Sequence, residues 1–228
     1  MQKRLARKLD LELTLSRVKP HPKPAPDLEQ YTIPPDAAAT TLYIAAYANN
    51  DIVDKKVLDL GCGTGRLAIG AAFLGAEEVT GVDIDRTAVK TAFENSFEAG
   101  FKEKTQWIAG DIDSVQGSFD TVLQNPPFGV QKRGADRKFI VKALELANVT
   151  YSLHKRPNED LGLVRKLKAS SDGAVAVSAS AFMKRFVEEN GGRIESVYAL
   201  LMTIPHMFSF HTEKKHEFVV DLYVMRKT

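Results

Sequence analysis

The chain has 228 residues, of which 44% are hydrophobic and 26% are charged, and its formal net charge is +2. This composition fits a soluble globular domain and disfavours a collagen-like, coiled-coil or disordered chain. The charge is unevenly spread, because residues 1–24 carry +5, residues 25–130 carry −9 and residues 131–228 carry +6. Basic ends around an acidic middle suggest a polyanion-facing surface beside a site with a different task, although solvation alone also explains such charges.

The sequence offers little for disulfide or metal chemistry. Its single cysteine, Cys62, excludes an intrachain disulfide and a cysteine-rich zinc site. The five histidines form no His-x-x-x-His pair, so we expect no bound metal. No run of about eighteen apolar residues is present, and the basic N-terminus leads into no long apolar region. We therefore expect no membrane segment and a cytoplasmic location.

The first elements in chain order are a helix and an arm. A short amphipathic helix is predicted over residues 3–17, where Leu5, Leu9 and Leu13 lie four residues apart. Four prolines between positions 20 and 26 predict an extended arm. A second helix is expected over residues 36–50, with Asp36 as its N-cap.

Strands and helices alternate from residue 55 onward. Strands are predicted at 56–60, 78–83, 105–109, 119–123, 149–153, 193–204 and 217–225. Helices are predicted at 66–74, 87–99, 136–147, 157–168 and 179–190. The alternation implies parallel strands with right-handed crossovers, and the last strand should run antiparallel because no helix precedes it. The predicted fold is α/β with a seven-stranded mixed sheet: one domain over residues 28–228, after a basic helix and proline-rich arm over residues 1–27.

A glycine-rich loop, Asp59-Leu-Gly-Cys-Gly-Thr-Gly65, follows the first predicted strand and opens a helix. Glycine permits positive φ angles and lets a ligand approach the backbone closely. Asp83 closes the next strand, where a carboxylate can accept two hydrogen bonds from a ribose diol. This pattern predicts a nucleotide-like cofactor at the carboxyl ends of the strands, and the simpler alternative is a tight turn with solvated carboxylates.

A second loop, Asn125-Pro126-Pro127-Phe128, follows the fourth predicted strand and should lie beside the cofactor. The two prolines stiffen the loop and supply carbonyl acceptors without N–H donors. An amide side chain and a proline carbonyl can accept both hydrogens of a planar NH₂ group and turn its lone pair toward the cofactor. Phe128 can stack on a flat substrate. The alternative is a rigid proline turn with a core phenylalanine.

The glycine loop resembles that of the class I (Rossmann-like) methyltransferases, which implies S-adenosyl-L-methionine as the cofactor. By this resemblance, Asp59 and the glycine loop meet the amino acid end of the cofactor, and Asp83 holds its ribose. Asp111 would hydrogen-bond the adenine amino group, and Ile112 would pack against the ring. The cofactor residues that this resemblance implies are Asp59, Gly61, Gly63, Gly65, Asp83, Ile84, Asp111, Ile112 and Asn125.

The Asn-Pro-Pro-Phe loop resembles two groups of methyltransferases, which the loop alone does not separate. One group modifies the exocyclic amine of adenine, and the other modifies the side-chain amide of glutamine in release factors or ribosomal proteins. Phenylalanine at position 128 leans toward RNA adenine. A third possibility is a nucleotide- or RNA-binding module without catalysis, but simple binding does not require such a loop.

Several segments together resemble the methyltransferase-like protein 5 family: Leu28-Glu-Gln-Tyr31, Asp59 to Gly65, Asn125 to Gly129, Tyr151-Ser-Leu-His-Lys155, and Phe210-His211 with Lys214-Lys215. The resemblance implies N6-methylation of adenine in small-subunit rRNA, with a small zinc-containing activator protein that covers an apolar sheet edge. It adds Gln30 and Tyr31 to the cofactor pocket. It places RNA contacts at Phe128, Phe210, His211, Lys214 and Lys215. The alternative for His211 is an ordinary surface loop, and the alternative for the two lysines is a solvated surface. The chain departs from the family at Thr32-Ile33 and in its greater length between residues 155 and 179.

Overall fold

The structure is a computed structural model that describes residues 6–25, 29–30, 32–128, 134–157, 160–205 and 215–228, with only the backbone at 204, 205, 215 and 216. Its α-helices are α1 (Lys8–Ser16), α2 (Pro35–Tyr43), α3 (Arg66–Phe73), α4 (Arg86–Glu98), α5 (Ala135–Leu146), α6 (Leu161–Ala169) and α7 (Ala181–Glu189). Its strands are β1 (Lys56–Leu60), β2 (Glu78–Asp83), β3 (Thr105–Ala109), β4 (Phe119–Gln124), β5 (Ala147–Lys155), β6 (Ala174–Ala176), β7 (Gly192–Pro205) and β8 (Lys215–Lys227).

The strands form a single sheet in the order β3-β2-β1-β4-β5-β8-β7-β6. Strands β1 to β5 are parallel, and β8 runs antiparallel to both of its neighbours, β5 and β7. The predicted mixed sheet with an antiparallel last strand is therefore confirmed. The strand order reverses at β1, where the chain moves from β3 at one edge to β4 on the other side of β1. In open α/β sheets such a reversal opens a crevice for ligands at the carboxyl ends of the strands.

The predicted strand count of seven is wrong, because the sheet has eight strands among the described residues. The additional strand, β6, is the short segment Ala174–Ala176, and it pairs antiparallel with Tyr198–Leu200 of β7. Three residues are too few to show the alternation of a strand in the sequence. The long neighbouring strand supplies the pairing that the sequence pattern does not reveal.

Alternation of side chains along the strands gives the sheet two apolar faces. Val57 and Leu123 point to the face covered by α1, α2 and α3, whereas Leu58 and Val122 point to the face covered by α5. Residues Val197 and Tyr223 of the antiparallel part pack with α5 and α7. Because the central strands are buried on both faces, only their polar ends are accessible to a ligand. The candidate functional site lies at these ends.

Helix α1 packs into the main core rather than standing apart from it. Leu11 and Leu15 are fully buried, whereas Leu9 and Leu13 are 58% and 51% exposed. Leu9 and Leu13 of the predicted stripe thus lie on the solvent side of this helix, whereas Leu5 lies outside the described residues. Leucine recurs at every second position from 9 to 15, so the sequence offers two stripes and packing selects between them. Gly70 of α3 allows this packing, since a Cβ there would lie 2.3 Å from Leu42 Cδ1 and 3.2 Å from Leu15 Cδ2.

No helix among the described residues is both long enough and apolar enough to cross a membrane.

The two stripes of α1 give a direct test of this packing. Leu15→Ala should lower the free energy of unfolding by about 2–5 kcal/mol, because it leaves a cavity between α1 and α3. Leu13→Ala should change it by less than about 0.5 kcal/mol, because Leu13 faces solvent. Equilibrium denaturant unfolding of both variants measures the difference, and equal effects would contradict the burial of this helix.

Candidate active site

A cavity of about 220 Å³ lies at the carboxyl ends of β1, β2 and β4. It brings together nine of the predicted cofactor residues, namely Gln30, Asp59, Gly61, Gly63, Asp83, Ile84, Asp111, Ile112 and Asn125. Pro127 also lines it. The predicted donor residues and part of the predicted acceptor loop therefore share one cavity.

The three predicted glycines of the loop after β1 have different surroundings although all have positive φ angles. A Cβ on Gly65 would lie 2.5 Å from Trp107 Cη2, so this glycine permits close packing under the loop and does not line the cavity. A Cβ on Gly61 would lie 2.8 Å from Phe139 Cε1. A Cβ on Gly63 would meet nothing within 4 Å, so its backbone faces open space in the cavity where a ligand can approach.

Asp59 is the most deeply buried acid of the cavity, with 1% of its surface exposed. Its Oδ2 accepts a hydrogen bond from the Ala68 amide of α3 at 2.9 Å. Burial raises the pKa of Asp59 to about 7, and the nearby charge of Asp83 adds to this rise, while the Ala68 hydrogen bond opposes it. A carboxylate that is costly to ionise in the empty protein favours a cationic ligand, which offsets the cost of its charge.

Asp83 is held by backbone amides on both of its oxygens. Gly63 N donates to Oδ2 at 2.8 Å, and Asp85 N donates to Oδ1 at 2.9 Å. Burial raises the pKa of Asp83, and these two hydrogen bonds oppose the rise. Each carboxylate oxygen keeps a further lone pair, so the fixed group can accept two hydroxyl donors, as a ribose diol requires.

Asp111 and Ile112 lie at the turn after β3. Asp111 is exposed and its Oδ1 accepts from Lys138 Nζ at 2.9 Å, while Lys138 also pairs with Asp113 at 2.8 Å. Ile112 is 6% exposed and packs in the core beneath the turn. Lys138, which the sequence reading missed, lines the cavity and balances the two carboxylates of this turn.

The Asn125–Phe128 loop begins on a firmly anchored strand end. Gln124, which is fully buried, donates through Nε2 to Ser152 Oγ at 2.9 Å, and that oxygen lies 2.7 Å from His154 Nε2. Asn125 and Pro127 face the cavity, Pro126 is buried, and the ring of Phe128 meets Phe218 edge-on with centroids 5.9 Å apart. The stacking role assigned to Phe128 stays a prediction.

The N-terminal arm reaches the site through Gln30, which was predicted, and through His21, which sequence reasoning missed. His21 Nε2 and Gln30 Nε2 lie 3.0 and 2.7 Å from Asp85 Oδ2, and Asp85 also caps α4 by accepting from Thr87 N. Arg66 is buried, and its guanidinium donates to the Ile33 and Val18 carbonyl oxygens. An Asp immediately before a helix signals an N-cap, but only the fold shows that the arm uses the same carboxylate.

Five predicted residues are not tested by this geometry. Tyr31, Phe210, His211 and Lys214 lie outside the described residues, and only the backbone of Lys215 is described. Their roles stay predictions.

Comparisons with known proteins agree with the fold and the cavity. The profile of the ribosomal protein L11 methyltransferase (PrmA) family matches residues 36–126. The rRNA N(6)-adenosine-methyltransferase Mettl5 of Drosophila melanogaster is 33% identical over 93% of this chain and 93% of its own length, and the zebrafish METTL5 is 33% identical over 93% and 95%. A crystal structure from Pyrococcus horikoshii, provisionally described as an RNA methyltransferase, has 37% identity and a TM-score of 0.81 and covers 98% of this chain and 99% of its own.

The sheet order and the glycine-lined cavity with its strand-end carboxylates define a class I methyltransferase that uses S-adenosylmethionine. Within that class, the full-length matches show that the chain belongs to the METTL5 family of rRNA N(6)-adenosine-methyltransferases. The predicted class, cofactor and family are thereby confirmed.

The raised pKa of Asp59 predicts a pH dependence of cofactor binding. S-adenosylmethionine is cationic, so it binds best when Asp59 is ionised. At a pH below the pKa of Asp59, part of the binding free energy is therefore spent on ionising this carboxyl. With a pKa of about 7, we expect affinity about tenfold weaker at pH 6 than at pH 8. Calorimetric titration across this range measures the slope.

Asp59→Asn is the matched variant, because an amide oxygen can still accept from Ala68 N. It should bind the cofactor more weakly at pH 8 and show a flatter pH profile. The free energy of unfolding without cofactor changes with pH in the opposite direction from cofactor affinity. A carboxyl whose folded pKa is raised loses stabilisation as the pH rises from about 4 to 7, so the variant without cofactor should be no less stable than wild type at pH 8. An unchanged pH slope in Asp59→Asn would contradict this role.

Proposed function

We propose that this protein transfers a methyl group from S-adenosylmethionine to the N6 amino group of an adenine in small-subunit rRNA, acting in the cytoplasm. The main support is that the acceptor-loop residues Asn125 and Pro127 line the same cavity as the donor residues. These donor residues are Asp59, Gly63 and Asp83. The residues suited to the donor and those suited to a planar amine therefore share one cavity. Membership of the METTL5 family supports adenine in rRNA as the acceptor.

The residues present suit each end of the cofactor. The open space at Gly63 admits a ligand against the backbone, and the fixed carboxylate of Asp83 offers acceptors for the ribose hydroxyls. Asp59 supplies a buried negative charge near the cationic end. When bound, S-adenosylmethionine supplies an electrophilic methyl group on its sulfonium.

The protein's own contribution is to orient the amine and exclude water. The Asn125 side chain and a proline carbonyl of the loop accept the two amino hydrogens, which directs the nitrogen lone pair toward the donor. Holding the two reactants in line supplies much of the rate enhancement. The adenine must be unpaired or flipped out of a helix, because its amino group cannot otherwise enter the cavity.

Basic side chains at the same edge of the sheet support an RNA substrate. Lys155, at the end of β5, lies over the ring of Phe218 with its Nζ 5.4 Å from the centroid, and Phe218 in turn contacts Phe128. Arg165 and Lys166 of α6 are exposed. Such groups can contact phosphates and position RNA without reading its sequence. A glutamine side chain in a protein is the competing acceptor.

The outer edge of the sheet supports the proposed zinc-containing activator. Strand β3 is the last strand on that side, and Ile108 on it is 44% exposed. On the adjacent helix α4, Phe93 and Phe97 are 46% and 63% exposed, one helical turn apart. An edge strand flanked by exposed aromatic side chains is a surface that another protein commonly covers.

Asn125→Ala should reduce methyl transfer to rRNA by more than about a hundredfold, because the amine loses its orienting acceptor. Cofactor affinity should change by less than about threefold, since Asn125 is one of many residues that line the cavity. Single-turnover methylation and calorimetry measure the two quantities. Equal losses of transfer and of cofactor affinity would show that Asn125 holds the cofactor rather than the adenine.

Phe97→Asp should abolish co-purification of the zinc-containing activator, because it places a charge in the proposed apolar contact. Leu161→Asp is the matched control, since Leu161 is 70% exposed on α6, away from this edge. Pull-down of the tagged activator after co-expression measures binding. Retention by Phe97→Asp, or loss by both variants, would contradict the proposed surface.

A further inference from the structure

The acceptor loop has an unusual shortage of backbone donors. Pro126 and Pro127 have no N–H groups, so the first amide after Asn125 that can anchor the loop is that of Phe128. This amide donates to Glu29 Oε2 at 2.7 Å. A carboxylate acceptor makes a short, charge-assisted hydrogen bond, which is stronger than a neutral one.

Glu29 comes from the N-terminal arm, 99 residues before Phe128 in the sequence. Its φ angle is +50°, in the left-handed region that residues other than glycine seldom adopt. Such a conformation persists where surrounding contacts require it. Glu29 also lines the cavity.

The next residue fixes the same stretch of arm to the donor side of the cavity. Gln30 donates to Asp85 Oδ2 at 2.7 Å and accepts from Ala25 N at 2.8 Å. Asp85 follows the ribose carboxylate Asp83 by two residues, and its amide donates to that carboxylate. Two consecutive side chains therefore join the turn after β2 to the loop after β4.

We propose that Glu29 is the positioning residue of the methyl-transfer loop. Its carboxylate holds the Phe128 amide and so fixes Asn125 and the proline carbonyls relative to the donor turn. The role needs a hydrogen-bond acceptor and not a proton acceptor, so a glutamine, whose amide oxygen can accept the same bond, should substitute for it. The catalytic consequence rests on the proposed function.

The first test measures the hydrogen bond directly, without RNA. In the full chain, the Phe128 amide should be protected from hydrogen exchange in wild type and in Glu29→Gln. In Glu29→Ala its exchange should be about 10- to 100-fold faster. Equal exchange in wild type and Glu29→Ala would overturn the proposal.

The second test measures the consequence for catalysis. Glu29→Ala should lower the single-turnover rate on rRNA by about 10- to 100-fold, because small misplacements of reacting groups are costly. The affinity for S-adenosylmethionine should change by less than about threefold, and Glu29→Gln should recover most of the rate. Glu189→Ala, which removes an exposed carboxylate that pairs only with Arg185 on α7 among the described contacts, is the control and should behave as wild type.

The outcomes separate the two proposals. If wild type does not methylate rRNA, the proposed function fails, while amide exchange still decides whether Glu29 holds the loop. If wild type is active and Glu29→Gln is as inactive as Glu29→Ala with its melting temperature unchanged, the positioning role is wrong. If Glu29→Ala lowers the melting temperature markedly, the proposal is judged on Glu29→Gln alone. Its Phe128 amide should then be as protected, and its methylation rate nearly as high, as in wild type.

Discussion

The reversal of strand order at β1 is the constraint on which the rest of the site depends. It places the carboxyl ends of β1, β2 and β4 at one crevice, so that residues far apart in sequence share a cavity. Asp59 is the last residue but one of β1, Asp83 ends β2, and Asn125 follows β4. The apolar faces of the sheet explain why the polar groups collect at this edge, since both faces are covered by helices.

Burial of carboxylates gives the cavity its chemical character. Asp59 and Asp83 both have raised pKa values because burial disfavours their charged forms. Backbone amides from Ala68, Gly63 and Asp85 hold these side chains in place without neutralising them. A cationic ligand with hydroxyl groups matches this arrangement. Until such a ligand binds, ionisation of the two buried carboxyls lowers the free energy of unfolding of the protein.

Local patterns in the sequence were sufficient to predict much of the fold and the donor site. The glycine loop and Asp83 could be predicted because the loop follows one short apolar strand and Asp83 ends the next. The cofactor roles of Gln30, Asp111 and Ile112 were implied by the resemblance to known methyltransferases, and these residues line the same cavity. Contacts that depend on long-range packing could not be predicted. The arm residues Glu29 and His21, the choice of Leu15 over Leu13 as the buried leucine, and the pairing of Ala174–Ala176 with β7 all depend on partners supplied by the folded chain. The uneven charge also has a structural counterpart, since the acidic middle contains the cavity carboxylates and the basic C-terminal part contains Lys155 and α6.

The central claim is that the donor cavity and the Asn125–Phe128 loop together act on adenine. The most direct measurement is incubation with methyl-labelled S-adenosylmethionine and deproteinised small-subunit rRNA, in parallel with ribosomal proteins and release factors. Each sample is then digested and the labelled product identified. The account predicts label in N6-methyladenosine from the rRNA, whereas label found only in methylated glutamine would contradict it.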